Sequence, residues 1–321
     1  MADTPTGAEE LTDQAVHNQH PKKAFFEATY GGVLSFCRRP YTRNLRDVDV
    51  AVVGVPWDGA VTNRPGARLG PRAIRQASTQ LAELKSFAFG INPFHHLGVV
   101  DFGDMALNPH DPTSIVDQIT AGIDPIVKAG VIPLALGGDH FIAYALLKAQ
   151  AEKHGPVALV QFDAHADTWD SAGPLDHGTM FKRAVNEGLV DVNRSIQVGI
   201  RTHTDNSLEI EQITAPECHD LGPSEITKRI VNRSGAGPAY LSFDIDCLDP
   251  AFAPGTGTPV CGGLTTWQAL EIIRGIKELS FVAMDLVEVS PPFDTSEISA
   301  LAAASIAYDW LAGLAVGRSK K

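Results

Sequence analysis

The chain has 321 residues, 44% of them hydrophobic, so it can build a substantial apolar core in one large or two ordinary domains. Its 26 basic and 38 acidic residues give a net charge of -12, and no cluster of Lys and Arg forms a basic stripe. This balance argues against nucleic acid and anionic membranes as partners and favours a small cationic ligand.

The first residues are polar and rich in turn formers, which predicts a mobile N-terminal arm over 1–22 and a single domain over 23–321. The arm lacks the basic and apolar regions of a secretory signal, and we find no apolar run long enough to cross a bilayer. Four scattered cysteines in no C-x-x-C arrangement argue against a disulfide framework or a thiolate zinc site. We therefore expect a cytoplasmic protein with reduced thiols and no membrane role.

From residue 48 onward, short apolar runs alternate with longer helical patterns. Predicted strands cover 48–56, 97–104, 131–140, 157–165, 195–201, 239–246 and 281–289. Predicted helices cover 71–84, 114–129, 141–153, 223–232 and 265–279. Continuous apolar strands suit a sheet covered on both faces, and strand–helix alternation implies parallel strands joined by right-handed crossovers. The predicted fold class is therefore α/β with a central, mainly parallel sheet.

Side chains that can bind metal follow four of these strands. They are His140 in "GGDH", Asp163, His165 and Asp167 in "DAHAD", Asp244 and Asp246 in "DID", and Glu288 in "VEV". Alternate side chains of an extended chain point to the same side, so the residues within "DAHAD" and within "DID" can converge. Because the carboxyl ends of parallel strands meet at one edge of the sheet, where ligands bind, the four segments can form one site.

Four carboxylates close together strongly disfavour joint ionisation, so this set needs a compensating cation. A carboxylate-rich set with a few imidazoles suits manganese, or another borderline metal, better than a metal that seeks thiolates. A single D-x-D at a strand end is often only a turn or a helix cap. The prediction of a metal site therefore depends on three separate buried strands that place such residues at the same end. The predicted ligands are His140, Asp163, His165, Asp167, Asp244 and Asp246.

The sequence resembles the ureohydrolase family, the arginase and agmatinase group, from about Val48 to about Leu314. The three ligand-bearing signatures of that family occur in order as "GGDH" (137–140), "DAHAD" (163–167) and "SFDIDCLDPAFAPGTGTP" (242–259). The resemblance implies a three-layer α/β/α fold and two Mn²⁺ ions per subunit, with Ni²⁺ as an alternative, held by the six ligands. It also implies a homo-oligomer, a trimer or a hexamer. Which carboxylates bridge the ions stays open, with Asp163 and Asp244 or their neighbours as candidates.

The resemblance further implies three catalytic residues. Asp167 would carry a proton from the attacking hydroxide to the leaving amine. His177, in "LDHGTMFKRAVNEGLVD" (175–191), would line the site, contact substrate and shuttle protons to bulk water. Glu288, in "DLVEVSPPFD" (285–294), would bind the guanidinium group of the substrate.

Two positions indicate the substrate branch. Phe141 follows "GGDH" where arginases usually have Ser, and Trp169 replaces an Asn that helps arginine-specific members hold the amino-acid head group. Agmatine is decarboxylated arginine, so it has no α-carboxylate that the enzyme must hold. Trp169, at this place, is the third predicted substrate-binding residue beside His177 and Glu288. The predicted function is hydrolysis of agmatine to putrescine and urea, as in bacterial agmatinases.

Three alternatives remain open at this point. The loop "AVTNRPGARLGP" (60–71) looks closer to relatives that use guanidinobutyrate, which favours a guanidinobutyrase or another amidinohydrolase of small guanidino compounds. A deacetylase that uses one metal would leave Asp246 and Glu288 without a role. A non-catalytic partner subunit would ordinarily have lost some of the ligands.

Overall fold

A computed structural model of the chain describes residues 28–170, 173–205 and 208–318. Its strands are β1 (Val50–Val55), β2 (Val99–Asp104), β3 (Ile132–Gly137), β4 (Ala158–Phe162), β5 (Ile196–Ile200), β6 (Glu211–Thr214), β7 (Pro238–Asp244) and β8 (Ser280–Val287). Its helices are α1 (Gly70–Ser78), α2 (Ile115–Lys128), α3 (Ile142–His154), α4 (Met180–Asn186), α5 (Ala215–Ser234), α6 (Thr266–Gly275) and α7 (Ile298–Arg318). The predicted arm over 1–22 lies outside the described residues.

The eight strands form one parallel sheet in the order β2-β1-β3-β8-β7-β4-β5-β6. Side chains alternate between its two faces: Val50 and Val52 of β1 pack into one apolar core with α1, α5, α6 and α7. Ala51 and Val53 pack into a second core with α2, α3 and α4. Helices thus cover both faces, and the predicted three-layer α/β/α fold is confirmed.

Helix α5 begins earlier than the predicted 223–232. Thr214 and Glu217 form a reciprocal capping box at its start, and the helix is interrupted at Gly222, whose φ is +73°. The predicted range matches the part that begins at Pro223, because proline is favoured in the first turn of a helix and the sequence pattern restarts there. Strand β6 and helices α4 and α7 were not predicted.

Helix α7 is the one helix of the described residues that is long and apolar enough to cross a membrane, although the sequence interpretation found no such run. Within its most apolar window, 78% of the residues are buried inside the protein. A helix that is apolar all round is also what the core of a large domain requires. The burial of α7 against the sheet, α1 and α6 therefore identifies it as a core helix.

A buried ion pair ties α1 to the edge strand β2. The guanidinium group of Arg75 donates to both carboxylate oxygens of Asp101, at 2.7 and 2.9 Å. Asp101 is fully buried, and its oxygens also accept from the backbone N–H groups of Phe36 and Gly103. The pair therefore joins the helix, the strand and the segment before β1.

We expect Arg75→Met to lower the free energy of unfolding by about 3–5 kcal/mol, because it leaves the Asp101 carboxylate buried without its cation. Urea denaturation followed by circular dichroism measures this change. Arg72→Met, on the exposed face of the same helix, is the matched control and should change stability by less than about 0.5 kcal/mol. Equal small effects of both variants would contradict the prediction.

Candidate metal centre

The strands that precede the predicted ligands are neighbours in the sheet. Strands β3, β8, β7 and β4 stand next to one another, and all four run in the same direction. The segments "GGDH", "VEV", "DID" and "DAHAD" therefore leave the sheet side by side. This adjacency brings the predicted ligands to one buried place at its carboxyl edge.

The first group of ligand atoms surrounds the imidazole of His140. Its Nδ1 lies 3.0 Å from Asp163 Oδ2, 2.9 Å from Asp167 Oδ2 and 3.2 Å from Asp244 Oδ2. The ligand atoms of His140, Asp163 and Asp244 all lie within 4.8 Å of one another, so these three residues could hold a metal ion. Asp167 lies beside this group through its contact with His140.

The second group is formed by Asp163, His165 and Asp246, whose ligand atoms also lie within 4.8 Å of one another. His165 Nδ1 lies 3.4 Å from Asp163 Oδ1 and 3.1 Å from Asp246 Oδ2. Asp163 belongs to both groups, with Oδ2 toward His140 and Oδ1 toward His165. The arrangement therefore offers two adjacent ion sites that share one carboxylate.

The charges of these residues fit a bound cation. Burial and the nearby charge of Asp163 raise the pKa of Asp167 to about 7. The pKa values of Asp244 and Asp246 are also raised, with burial as the main cause in both. Burial would raise the pKa of Asp163 as well, but the two imidazoles outweigh it and lower that pKa. The cluster thus holds more carboxylates than can ionise together without a positive ion.

The Nδ1 atom of His140 is a further sign of a metal site. Among the described residues, no group forms a hydrogen bond with it, although three carboxylate oxygens lie close by. At the other side of the ring, Nε2 lies 2.8 Å from Ser242 Oγ, whose hydroxyl donates to Asp285 at 2.8 Å. Because that hydroxyl proton is directed to Asp285, Ser242 accepts from the His140 Nε2–H group. Without metal, burial lowers the pKa of His140, but the nearby carboxylates outweigh it and raise that pKa. When a metal ion displaces that proton, the neutral ring keeps its Nε2–H on Ser242 and presents the Nδ1 lone pair to the ion.

Ser242 and Asp285, which support His140 in this way, were not predicted from the sequence. Ser242 lies two residues before Asp244 on β7, so it points to the same face of the sheet. A polar residue at that alternate position of an otherwise apolar strand was the available signal. Asp285 pairs with Ser242 across β7 and β8, and strand order cannot be read from local sequence.

His177 and Glu288 form a second buried unit beside the cluster. His177 Nδ1 lies 2.8 Å from Glu288 Oε1, which also accepts from the backbone N–H of His140 at 2.8 Å. The other oxygen, Oε2, is buried and has no hydrogen-bond partner among the described residues. The imidazole Nε2 lies 2.9 Å from Thr62 Oγ1. Glu288 thus has one engaged oxygen and one available oxygen.

A cavity of about 370 Å³ opens onto the cluster. Its walls are formed by Thr62, His140, His165, Asp167, Trp169, Asp176, His177, Gly178, Asp244 and Thr258. A cavity of about 400 Å³ lies at the opposite edge of the sheet, by the first residues of β3 and β8, and is lined mainly by apolar residues. Only the first cavity adjoins residues that could hold metal among those described.

Trp169 lies in the wall of this cavity, with its ring 6.0 Å from that of His165 and its Nε1–H donated to His203 O. Phe141, in contrast, is buried and packs against Tyr144, so this sequence marker does not line the cavity. Glu288 is also nearly fully buried and lies behind His177. Thr62, Asp176 and Thr258 line the cavity without having been predicted.

The protein thus has an α/β/α fold and, at the carboxyl edge of its sheet, two adjacent carboxylate-rich groups of side chains that could each hold a metal ion. The chain belongs to the arginase family, since the family model described as "Arginase family" matches residues 48–313. This family comprises binuclear metal enzymes, and the two His/Asp groups could bind metal in that way. The resemblance noted from the sequence is therefore confirmed.

Individual relatives agree with this assignment. The chain is 53% identical to the agmatinase of Chromobacterium violaceum, over 93% of this chain and 94% of the relative. It is 47% identical to the agmatinase of Neisseria meningitidis serogroup C, over 82% and 86% of the two chains. The crystal structure of a hypothetical agmatinase from Burkholderia thailandensis matches with a TM-score of 0.92 and 50% identity, covering 96% of this chain and 98% of that one. Proclavaminate amidino hydrolase from Streptomyces clavuligerus matches with a TM-score of 0.86 and 37% identity, covering 91% and 100%.

The contact between His177 and Glu288 gives a pH prediction for the metal-free protein. Burial lowers the pKa of His177, but the hydrogen bond and charge of Glu288 raise it to about 9. The stabilisation from this pair is complete below the ordinary histidine pKa and is lost as pH rises through about 9. We expect an NMR titration of chelator-treated protein to give that raised pKa. Glu288→Gln should lower it markedly, and an unchanged titration in that variant would contradict the assignment.

Proposed function

We propose that this chain is an agmatinase, which hydrolyses agmatine to putrescine and urea with the help of bound metal. The observation that carries the proposal is the pair of ligand groups that share Asp163 at the bottom of the cavity. A guanidinium carbon is a poor electrophile and water is a weak nucleophile, so the reaction needs a site that activates water and orients the substrate. Relatives named as agmatinases, at 47% and 53% identity, support the choice of substrate.

We propose Mn²⁺ as the metal, with Ni²⁺ as the alternative, held by His140, Asp163, His165, Asp167, Asp244 and Asp246. When bound, two such ions lower the pKa of water so that hydroxide is available near neutral pH. Carboxylate and imidazole ligands suit these ions. The raised pKa of Asp167, about 7 in the absence of metal, is what burial and crowding by other carboxylates produce, and it supports a place for Asp167 among the ligands of a cation.

Each catalytic side chain then has a separate task. The Asp167 carboxylate takes the proton of the attacking hydroxide and delivers it to the leaving amine. His177 passes protons between the cavity and bulk water through its Nε2, which lies beside the Thr62 hydroxyl. Trp169 forms the apolar part of the wall along which the substrate chain lies.

The free oxygen of Glu288 is the proposed acceptor for the substrate guanidinium. A charge-assisted hydrogen bond from a guanidinium N–H would satisfy Oε2, which is buried and has no partner among the described residues. A Cβ atom added at Gly257 would lie 3.4 Å from this oxygen. Glycine at that position therefore leaves room beside Oε2.

A guanidinobutyrase is the second candidate, and the charges near the cavity favour agmatine over guanidinobutyrate. Asp176 in the cavity wall would attract the ammonium group of agmatine and repel the carboxylate of guanidinobutyrate. Arg64, in the loop that resembles guanidinobutyrate-using relatives, stacks over Phe293 and is not among the cavity-lining residues. Arg64 is therefore not placed in the cavity wall, where it could pair with a carboxylate tail.

Three further properties are proposals: the oligomeric state rests on the family resemblance, and the location and domain range rest on the sequence pattern. We propose a homo-oligomer, a trimer or a hexamer, in the cytoplasm, with one domain over 23–321. Size-exclusion chromatography with light scattering would test the oligomeric state.

We expect kcat/KM for agmatine to exceed that for arginine by at least about a hundredfold, or ~2.7 kcal/mol of transition-state discrimination. Urea release is measured with agmatine, arginine, guanidinobutyrate, guanidinopropionate and guanidine. Asp176→Asn keeps the oxygen that accepts from Gly178 N–H but removes the charge, so it should narrow the preference for agmatine over guanidinobutyrate. Comparable turnover of arginine would reject the agmatinase branch, and preferred turnover of guanidinobutyrate would favour the second candidate.

We expect Glu288→Gln to lower kcat/KM for agmatine by about a hundredfold or more, because a misplaced substrate loses much of the rate. The neutral amide weakens the charge-assisted bond while the size of the side chain is kept. Glu278→Gln, an exposed change just before the opposite end of β8, is the control. Normal turnover in a folded Glu288→Gln variant with full metal content would contradict the guanidinium-binding role and indicate that Glu288 only supports the structure.

A further inference from the structure

Three glutamines stand side by side on neighbouring strands near the cluster. Gln161 of β4 pairs in register with Gln197 of β5, which pairs with Gln212 of β6. Gln197 Nε2 donates to Gln161 Oε1 at 2.6 Å, and Gln212 Nε2 donates to Gln197 Oε1 at 2.7 Å. Gln161 and Gln197 are fully buried, whereas Gln212 is half-buried at the edge of the sheet. Their amides form one continuous chain across three strands, which we call the glutamine ladder.

The inner end of the ladder holds the "DAHAD" segment at three atoms. Gln161 Nε2 donates to Asp163 Oδ2 at 2.8 Å and to the His165 carbonyl at 3.1 Å. Gln197 Nε2 donates to the Ala166 carbonyl at 2.7 Å. One carboxylate and two backbone carbonyls of the segment are therefore fixed by side-chain amides of the sheet.

The direction of the amides follows from chemistry. Carboxylate and carbonyl oxygens only accept hydrogen bonds, so the NH2 groups of Gln161 and Gln197 must face the "DAHAD" segment. The Oε1 of Gln161 then faces the NH2 of Gln197, and the same order repeats at Gln212. The amide dipoles are aligned with their positive ends toward Asp163, which favours its charged form and strengthens each bond in the chain.

The ladder also leaves Asp163 free to serve both ion sites. Oδ2 accepts from Gln161, and Oδ1 accepts from the backbone N–H of His165 at 2.6 Å. Each carboxylate oxygen has two lone pairs, so each retains one that can face an ion. The hydrogen bonds fix the rotation of the carboxylate, with Oδ2 toward His140 and Oδ1 toward His165.

We propose that Gln161, Gln197 and Gln212 are positioning residues that hold Asp163 as the carboxylate shared between the two ion sites. The proposal rests on the proposed metal centre and adds residues that do not bind metal themselves. A ladder that only satisfied buried polar groups would stabilise the fold without changing the affinity for metal. Metal affinity therefore separates the two roles.

The test uses the full chain, stripped of metal with a chelator and titrated with Mn²⁺, whose free form is followed by electron paramagnetic resonance. We expect Gln161→Met to weaken Mn²⁺ binding by about 10–100-fold, the range for lost outer hydrogen bonds to metal ligands. Gln197→Met, which loses its bonds to Gln161 and to the Ala166 carbonyl, should weaken binding by about tenfold. Gln212→Met should have a smaller effect, because water can replace its bond at the sheet edge. At saturating Mn²⁺, kcat should return close to the wild-type value.

Gln150→Met is the matched control, since Gln150 is a buried glutamine of α3 outside the ladder. If Gln161→Met fails to fold, Gln197→Met alone tests whether the ladder affects metal affinity. Gln197 touches no ligand side chain, so a change in Mn²⁺ affinity in that variant must be transmitted through the ladder or the Ala166 carbonyl. If the ladder variants fold and bind Mn²⁺ within about twofold of wild type, the proposed positioning role of the ladder is wrong, and the proposed metal centre is unaffected. A wild-type chain that binds no metal would overturn the proposed metal centre and the ladder together.

Discussion

The constraint on which this structure depends is the burial of four carboxylates at one edge of a parallel sheet. Asp163, Asp167, Asp244 and Asp246 lie within hydrogen-bonding reach of His140 or His165, out of contact with bulk water. Buried charges of one sign repel strongly, so such a cluster persists only with protons or a cation. The electrostatic cost of this cluster is therefore the physical argument that supports the proposed metal centre.

The surroundings of the cluster are correspondingly rigid. Arg201 donates to the carbonyls of Asp246, Leu248 and Val260, so one guanidinium group holds both ends of the segment that follows β7. The imidazole of His140 is oriented through Ser242. Side chains that are held by such hydrogen bonds lose little conformational entropy when the site binds an ion or a substrate.

Much of this arrangement could be predicted from local sequence, and the part that could not be has a clear physical reason. The convergence of the candidate ligands was predictable because alternation along an extended chain is visible in "DAHAD" and "DID". Their binding of metal remains a prediction. The hydrogen bonds of Gln161 with Gln197, and of Ser242 with Asp285, join residues on different strands, and strand order is a property of the whole fold. Helix α7 escaped prediction because it is apolar on all sides, so it lacks the 3.6-residue pattern that reveals a surface helix. The catalytic roles of Asp167, His177 and Glu288 remain predictions.

Two of the side chains with proposed functions are attached to a backbone conformation that their residue types disfavour. Asp167 has a φ of +53° and Glu288 a φ of +63°, in the left-handed region that suits glycine. Strain of this kind costs on the order of 1–3 kcal/mol per residue and persists where the surrounding structure enforces it. A glycine at either position would relax the backbone but remove the carboxylate. Selection for heat resistance would therefore favour glycine at these two positions, whereas the roles proposed for the carboxylates oppose that change. A thermostability screen without an activity assay would tend to lose both carboxylates first.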